Sequence, residues 1–165
     1  MRNVRRHDPN GAPVFLTIVC RGHRPLLRET RYKAVVRSIL LDIHRSKRAR
    51  IIAWVVLDDH LHLLLDRCDP DPAAVVGALK QQVLLALVQR SIWQARYFDH
   101  VIRDERDLQA HLDYVHFNPR KHGYVSDPAD YEWSSMHHYV ARNWYPAGWG
   151  VLELPSSIVE GTGSE

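Results

Sequence analysis

The chain has 165 residues, 45% hydrophobic and 25% charged, which is the composition of one globular domain with a substantial core. Its net charge is +3 and 18 of its 22 basic residues are Arg, whose planar fork suits phosphates and guanine edges; this favours a nucleic-acid partner over a generic solubility charge, although codon usage in a high-GC genome produces the same bias. Two cysteines exclude a disulfide framework and fit a reducing cytosol, no apolar run is long enough to span a bilayer, and the Arg-rich start is not a secretory signal.

After a basic, turn-rich beginning that carries Arg2, Arg5 and Arg6, the run from Pro13 to Cys20 has the β-branched and aromatic content of a buried strand. Arg21-Gly22-His23-Arg24-Pro25 closes it and is a candidate phosphate contact. Apolar residues at helical spacing predict a helix over Thr30 to Ser46. Ile51 to Arg67 predicts a β-hairpin that turns at Asp58-Asp59, and its second strand opens with His60-Leu61-His62. A second amphipathic helix is expected from Pro72 to about Arg90, and a fourth strand around Tyr97 to Ile102. Asp104 then caps a third helix, with Asp107 three residues on in the manner of a capping box. The order β-α-β-β-α-β-α predicts an α+β, ferredoxin-like (split βαβ) arrangement, an antiparallel sheet with helices on one face. From Pro119 onward an irregular, aromatic-rich extension is expected to wrap the sheet or the third helix. Residues 1–150 read as a single domain and 151–165 as a flexible tail.

Side chains alternate along a strand, so His60 and His62 share one face while Leu61, Leu63 and Leu65 share the other. Two imidazoles on one surface suit a divalent metal; the plainer alternative is an exposed face that happens to carry two histidines. On the third helix Leu108, Leu112 and Val115 define the buried face, and Tyr114 and Asn118 stand one turn apart with His111 close by. Pro119 predicts that the helix ends or kinks at Asn118 and frees its side chain to face a ligand. Here too a plainer reading is open: Asn118-Pro119 as a simple helix stop and Tyr114 as a packing residue.

His60-Leu61-His62 resembles the His-hydrophobic-His motif of the HUH superfamily of single-strand nucleases. The run from Tyr114 to Gly123 (YVHFNPRKHG) is similar to the catalytic-tyrosine helix of the REP-associated tyrosine transposases, relatives of the IS200-type transposases. Trp54-Val55-Val56, Tyr97 to Arg103 and Trp133-Ser134-Ser135 extend the likeness over most of positions 14 to 149. The chain departs from the family pattern at Asp58-Asp59, where Pro-Asn is usual, and at Arg120, where an aliphatic residue is usual.

The resemblance implies a metal-dependent single-stranded DNA nuclease and strand transferase that cuts next to hairpins through a covalent 5′-phosphotyrosine. It makes Tyr114 the nucleophile and His60, His62 and Asn118 the ligands of Mg2+ or Mn2+. It further implies single-stranded DNA with a REP-like hairpin as partner, a monomeric state, and a bacterial cytoplasmic, nucleoid-associated location. Candidate DNA contacts are Arg2, Arg5, Arg6, Arg21 and Arg24, with Trp93 and Tyr97 as platforms for unpaired bases. Two alternatives are a hairpin-binding protein without catalysis and a phosphodiesterase that uses water; the latter needs two separate His-x-Ser/Thr motifs, where this chain has a single His-x-His.

Overall fold

The computed structural model describes residues 11–69, 71–152 and 154–155; Arg2, Arg5, Arg6 and most of the expected tail lie outside the described residues. The elements are β1 (Val14–Val19), α1 (Thr30–Arg45), β2 (Ala49–Val56), β3 (His60–Cys68), α2 (Pro72–Ala86), β4 (Phe98–Val101), α3 (Glu105–Lys121) and α4 (Met136–Val140). The four strands form one antiparallel sheet in the order β2-β3-β1-β4, the order expected of a split βαβ fold. None of the described helices is long and apolar enough to cross a membrane.

Strand alternation sorts the sheet into two apolar faces. Val14, Leu16, Ile18, Leu61, Leu63 and Leu65 point to one face, where α1 and α2 meet them through Val36, Leu40, Ile43, Val76 and Leu79. α3 lies on the opposite face and packs Leu112 and Val115 over Phe15, Ala53, Val55 and Leu64. This second layer follows from β2, in which Ala53 to Val56 are buried on both parities and so need cover from both sides. His60 and His62 belong to the α3 side, with the three leucines behind them.

Local chemistry sets where the helices begin and end. The Asp71 carboxylate accepts from Ala74 N and the Asp104 carboxylate from Asp107 N, each satisfying an amide that the first turn leaves unpaired. α2 stops at Ala86, short of the expected Arg90, because Val88 turns to a φ of 53° and Gln89 N reaches back to Leu84 O at 2.9 Å.

The C-terminal extension closes the β2 edge of the sheet. Val56 N donates to Trp133 O at 2.8 Å, Ser135 N to Trp54 O at 2.9 Å, and Trp54 N to Ser135 Oγ at 3.0 Å. The hydroxyls of Tyr131 and Tyr139 donate to the carbonyls of Val56 and Ile52 at 2.8 and 2.7 Å. An edge strand that would otherwise offer open amides and carbonyls is thereby paired.

His116 clamps this extension to α3. Its ring nitrogens meet Tyr145 Oη and Ser135 Oγ, both at 2.8 Å, and it is fully buried. Burial, with a smaller contribution from His137, pushes its pKa down to about 3, so it folds as a neutral ring. A depressed histidine pKa means that the unfolded chain takes up the proton first. The stabilisation is therefore complete above pH 6.5 and declines as pH falls toward 3, by up to about 1.4 kcal/mol per pH unit. The stability advantage of the wild type over His116→Gln is expected to shrink between pH 7 and pH 5; a constant difference in urea unfolding across that range would contradict this reading.

Candidate active site

β3 presents His60 and His62 toward α3, and the register places Thr17 opposite His62 and Val19 opposite His60. Thr17 Oγ1 lies 2.9 Å from His62 Nδ1, and Asp59 Oδ1 lies 2.7 Å from His60 Nδ1. With both Nδ1 atoms engaged, Nε2 is the atom each ring has left for a ligand. Burial first, and then the neighbouring His60, His122, Lys121 and His111, hold the His62 pKa well below its ordinary value, so this ring stays neutral. Asp58 turns the other way and pairs with Lys33 and Arg28. The acidic pair at the hairpin turn thus splits its work: Asp59 orients a histidine and Asp58 ties β3 to α1 and the loop before it.

α3 supplies the facing side. Of the end or kink that the proline predicted at Asn118, the end does not occur; the helix runs through Pro119 to Lys121. An interior proline forfeits a backbone hydrogen bond, but the neighbouring Phe117 and Pro119 itself are buried, and packing outweighs the local preference. Tyr114, Asn118 and His122 therefore follow one another at helical turns along one line. The Tyr114 ring lies 5.2 Å from the His62 ring and the His122 ring 5.2 Å from the His60 ring, which brackets Asn118 opposite the two histidines.

Asn118 is 0% exposed and His62 2%. Their atoms Asn118 Oδ1, Asn118 Nδ2 and His62 Nε2 are the buried side-chain polar atoms that lack a hydrogen-bond partner among the described residues. Each such atom costs about 1–3 kcal/mol of folding free energy, so the protein keeps here a polar gap that a ligand would fill. Neutral imidazole nitrogens and an amide oxygen are suitable donors for a divalent cation, Mn2+ accepting imidazole more readily than the oxygen-preferring Mg2+.

Several neighbours were not legible in the sequence. Phe15 floors the site, its ring stacked on His62 at 5.3 Å and edge-on to Tyr114 at 5.8 Å, a contact that only the β1–β3 register reveals. Lys121 Nζ stands 3.5 Å from the Tyr114 hydroxyl and 5.1 Å from the centre of its ring. Its spacing of seven residues from Tyr114 was the available signal. Beside His60, whose ring meets that of His122 at 5.2 Å, lies a cleft of about 440 Å3 lined by His23, Arg28, Asp59, His122 and Tyr124.

The loop after β1 comes close to the histidines as expected: Cys20 N donates to Asp59 O at 2.7 Å, and Arg21 and Arg24 are exposed just beyond it. The two aromatic platforms are corrected. Trp93 is 7% exposed, donates its indole N–H to Lys80 O at 3.3 Å, and packs in the core under α1 and α2. Tyr97 packs against that same core, beneath Lys80 Nζ. Both belong to the face of the sheet that the histidines do not use.

A second polar cluster lies on the far side of Phe15. Ligand atoms of His100, Asp107 and His111 come within 4.8 Å of one another, close enough to hold a metal. Hydrogen bonds already occupy them: His100 Nε2, Arg103 N and Arg103 Nε all meet Asp107 Oδ2, and His111 Nδ1 meets the Asp107 carbonyl at 2.8 Å. Burial alone would raise the Asp107 pKa, but these donors outweigh it and hold the carboxyl at about 2. An arginine within the cluster makes it a poorer cation site than the neutral donors of His62 and Asn118.

No family model matches the chain. It is 35% identical over 151 residues to the REP-associated tyrosine transposase of Escherichia coli K12, covering 90% of this chain and 91% of that protein. It is 35% identical over 166 residues to a Haemophilus influenzae protein provisionally described in the same terms, covering 91% and 94%. Among solved structures it is similar to a REP-associated tyrosine transposase bound to a REP hairpin, with a TM-score of 0.78 and 34% identity over 88% of this chain and 89% of that one.

Proposed function

Because the chain belongs to the REP-associated tyrosine transposase family, we propose that it is a metal-dependent single-stranded DNA nuclease and strand transferase that cuts beside DNA hairpins. The observation that carries this reading is the pairing of Tyr114, set against His62, with unsatisfied buried atoms on His62 and Asn118. The hairpin partner is inferred from the related structure, whose protein is bound to a REP hairpin.

His60, His62 and Asn118 would hold Mg2+ or Mn2+, whose chemistry is to polarise the scissile phosphate. The Tyr114 oxygen attacks phosphorus and the bond to the 3′ oxygen breaks. One strand end becomes a 5′-phosphotyrosine and the other, after taking a proton from water, a free 3′-OH. A free phenol has a pKa of about 10 and is a weak nucleophile at neutral pH; Lys121 Nζ, 3.5 Å from the hydroxyl, is a cation positioned to draw the phosphate toward it. Asp59 and Thr17 fix the two imidazoles, and Phe15 holds the His62 and Tyr114 rings in register. Attack of a 3′-OH on the phosphotyrosine reverses the step and joins strands.

A tyrosine on a helix set over a sheet reaches an extended phosphodiester, not one stacked within a duplex. With Mn2+, a single-stranded hairpin oligonucleotide is expected to be cleaved and a blunt duplex of the same sequence left intact; equal cleavage at matched ionic strength would contradict the proposal. Arg21 and Arg24 are placed to grip the backbone beside His60. Changing both to Ala is expected to flatten the salt dependence of binding by about 1.4 log units per log unit of salt, at about 0.7 per phosphate contact on a single strand. An unchanged slope would remove them from the interface.

A further inference from the structure

Phe98 is 47% exposed, unusual for a phenylalanine in a sheet, and the register explains what surrounds it. β4 pairs Phe98 with Thr17, and Thr17 faces His62 on β3, so Phe98, Thr17 and His62 form one cross-strand row on the α3 side. At about 5 Å per strand, Phe98 lies about 10 Å from His62 along that row. α3 packs over β2 and β3 and reaches β4 at His100, where Asp107 and His111 hold the ring, while Phe98, two residues earlier on the same face, stays exposed. The Phe98 ring meets Phe15 edge-on at 6.5 Å, and Phe15 itself touches both His62 and Tyr114. An exposed aromatic face is thus held by one buried ring to the two groups at the centre of the site.

We propose that Phe98 is a stacking platform for an unpaired nucleobase next to the scissile phosphate, a reading that rests on the single-strand nuclease function proposed above. A base is the occupant that fits. The position is one ring away from the attacking tyrosine, exposed Arg96 and Arg103 stand at the two ends of β4 to meet a phosphate backbone, and Asp99 points to the other face. Stacking tolerates any base, so Phe98 contributes affinity and register for the strand and not its sequence. Tyr97, just before β4 begins, does not serve because it packs against the α1 and α2 core.

The test uses the full chain without divalent ion, with two probes: a DNA hairpin carrying an oligo(dT) tail and the same hairpin carrying an abasic tail. Phe98→Ala is expected to weaken binding of the dT-tailed probe about tenfold and to leave the abasic probe unaffected, while Phe98→Trp keeps wild-type affinity. Phe98→Leu retains apolar packing on Phe15 without an aromatic face and is expected to fall with Ala. Wild-type affinity in Phe98→Leu, or an equal loss on both probes, would overturn the platform. Adduct formation by the wild type with Mn2+ separates the two readings. An adduct-forming wild type whose Phe98→Leu variant binds normally overturns the platform alone, whereas a wild type that forms no adduct overturns the nuclease reading and the placement of the base with it.

Discussion

Replacing Tyr114 with Phe is expected to abolish the covalent DNA adduct and to lower cleavage by a factor on the order of 10⁴ or more, while hairpin binding stays near the wild-type level. The substitution removes one oxygen and leaves the ring in its contacts with Phe15 and His62. The proposed grip by arginines and stacking does not use that oxygen, so affinity and chemistry should separate. An adduct that persists in Tyr114→Phe would move the nucleophile elsewhere, first to Tyr124, which lies in the cleft beside His122. A variant with binding intact and no adduct in either protein would favour the hairpin-binding alternative.

The second large effect is expected at the proposed metal ligands. His62→Ala should lower cleavage by orders of magnitude and weaken Mn2+ binding by more than about 100-fold, since loss of a residue that merely orients a ligand already costs 10- to 100-fold. Asn118→Leu gives the sharper test, because it trades two unsatisfied buried atoms for an apolar side chain of similar size. It should lose cleavage and metal binding while raising Tm, the opposite of what a structural asparagine would do. Unchanged Mn2+ affinity in both variants by calorimetric titration would leave His62 and Asn118 without a part in metal binding.

Much of the fold could be read from apolar spacing, because each parity of β3 has a different environment: Leu61, Leu63 and Leu65 enter the α1 and α2 core, and the histidines face α3. The i, i+4 relation of Tyr114 and Asn118 was legible for the same reason. What escaped was set by contacts between distant segments. The helix continues through Pro119 because Phe117 and Pro119 are buried, which no local preference encodes. Trp93 looked like a surface aromatic until its indole found Lys80 O inside the core. The β4 strand is only four residues long, and its sequence alone did not say whether Tyr97 or Phe98 faces the histidines; pairing with Thr17 decides it. Asp58 and Asp59 were alike in sequence and part company only when Lys33 and His60 are in place.

Covalent catalysis by Tyr114 requires a bond between its phenolic oxygen and DNA. After incubation of the wild-type protein with Mn2+ and a single-stranded hairpin oligonucleotide, protease and nuclease digestion followed by mass spectrometry is predicted to find a nucleotide-linked peptide containing Tyr114, joined through a 5′-phosphate. A cleaved oligonucleotide with every tyrosine-containing peptide unmodified, or with the nucleotide on a peptide that lacks Tyr114, would contradict it.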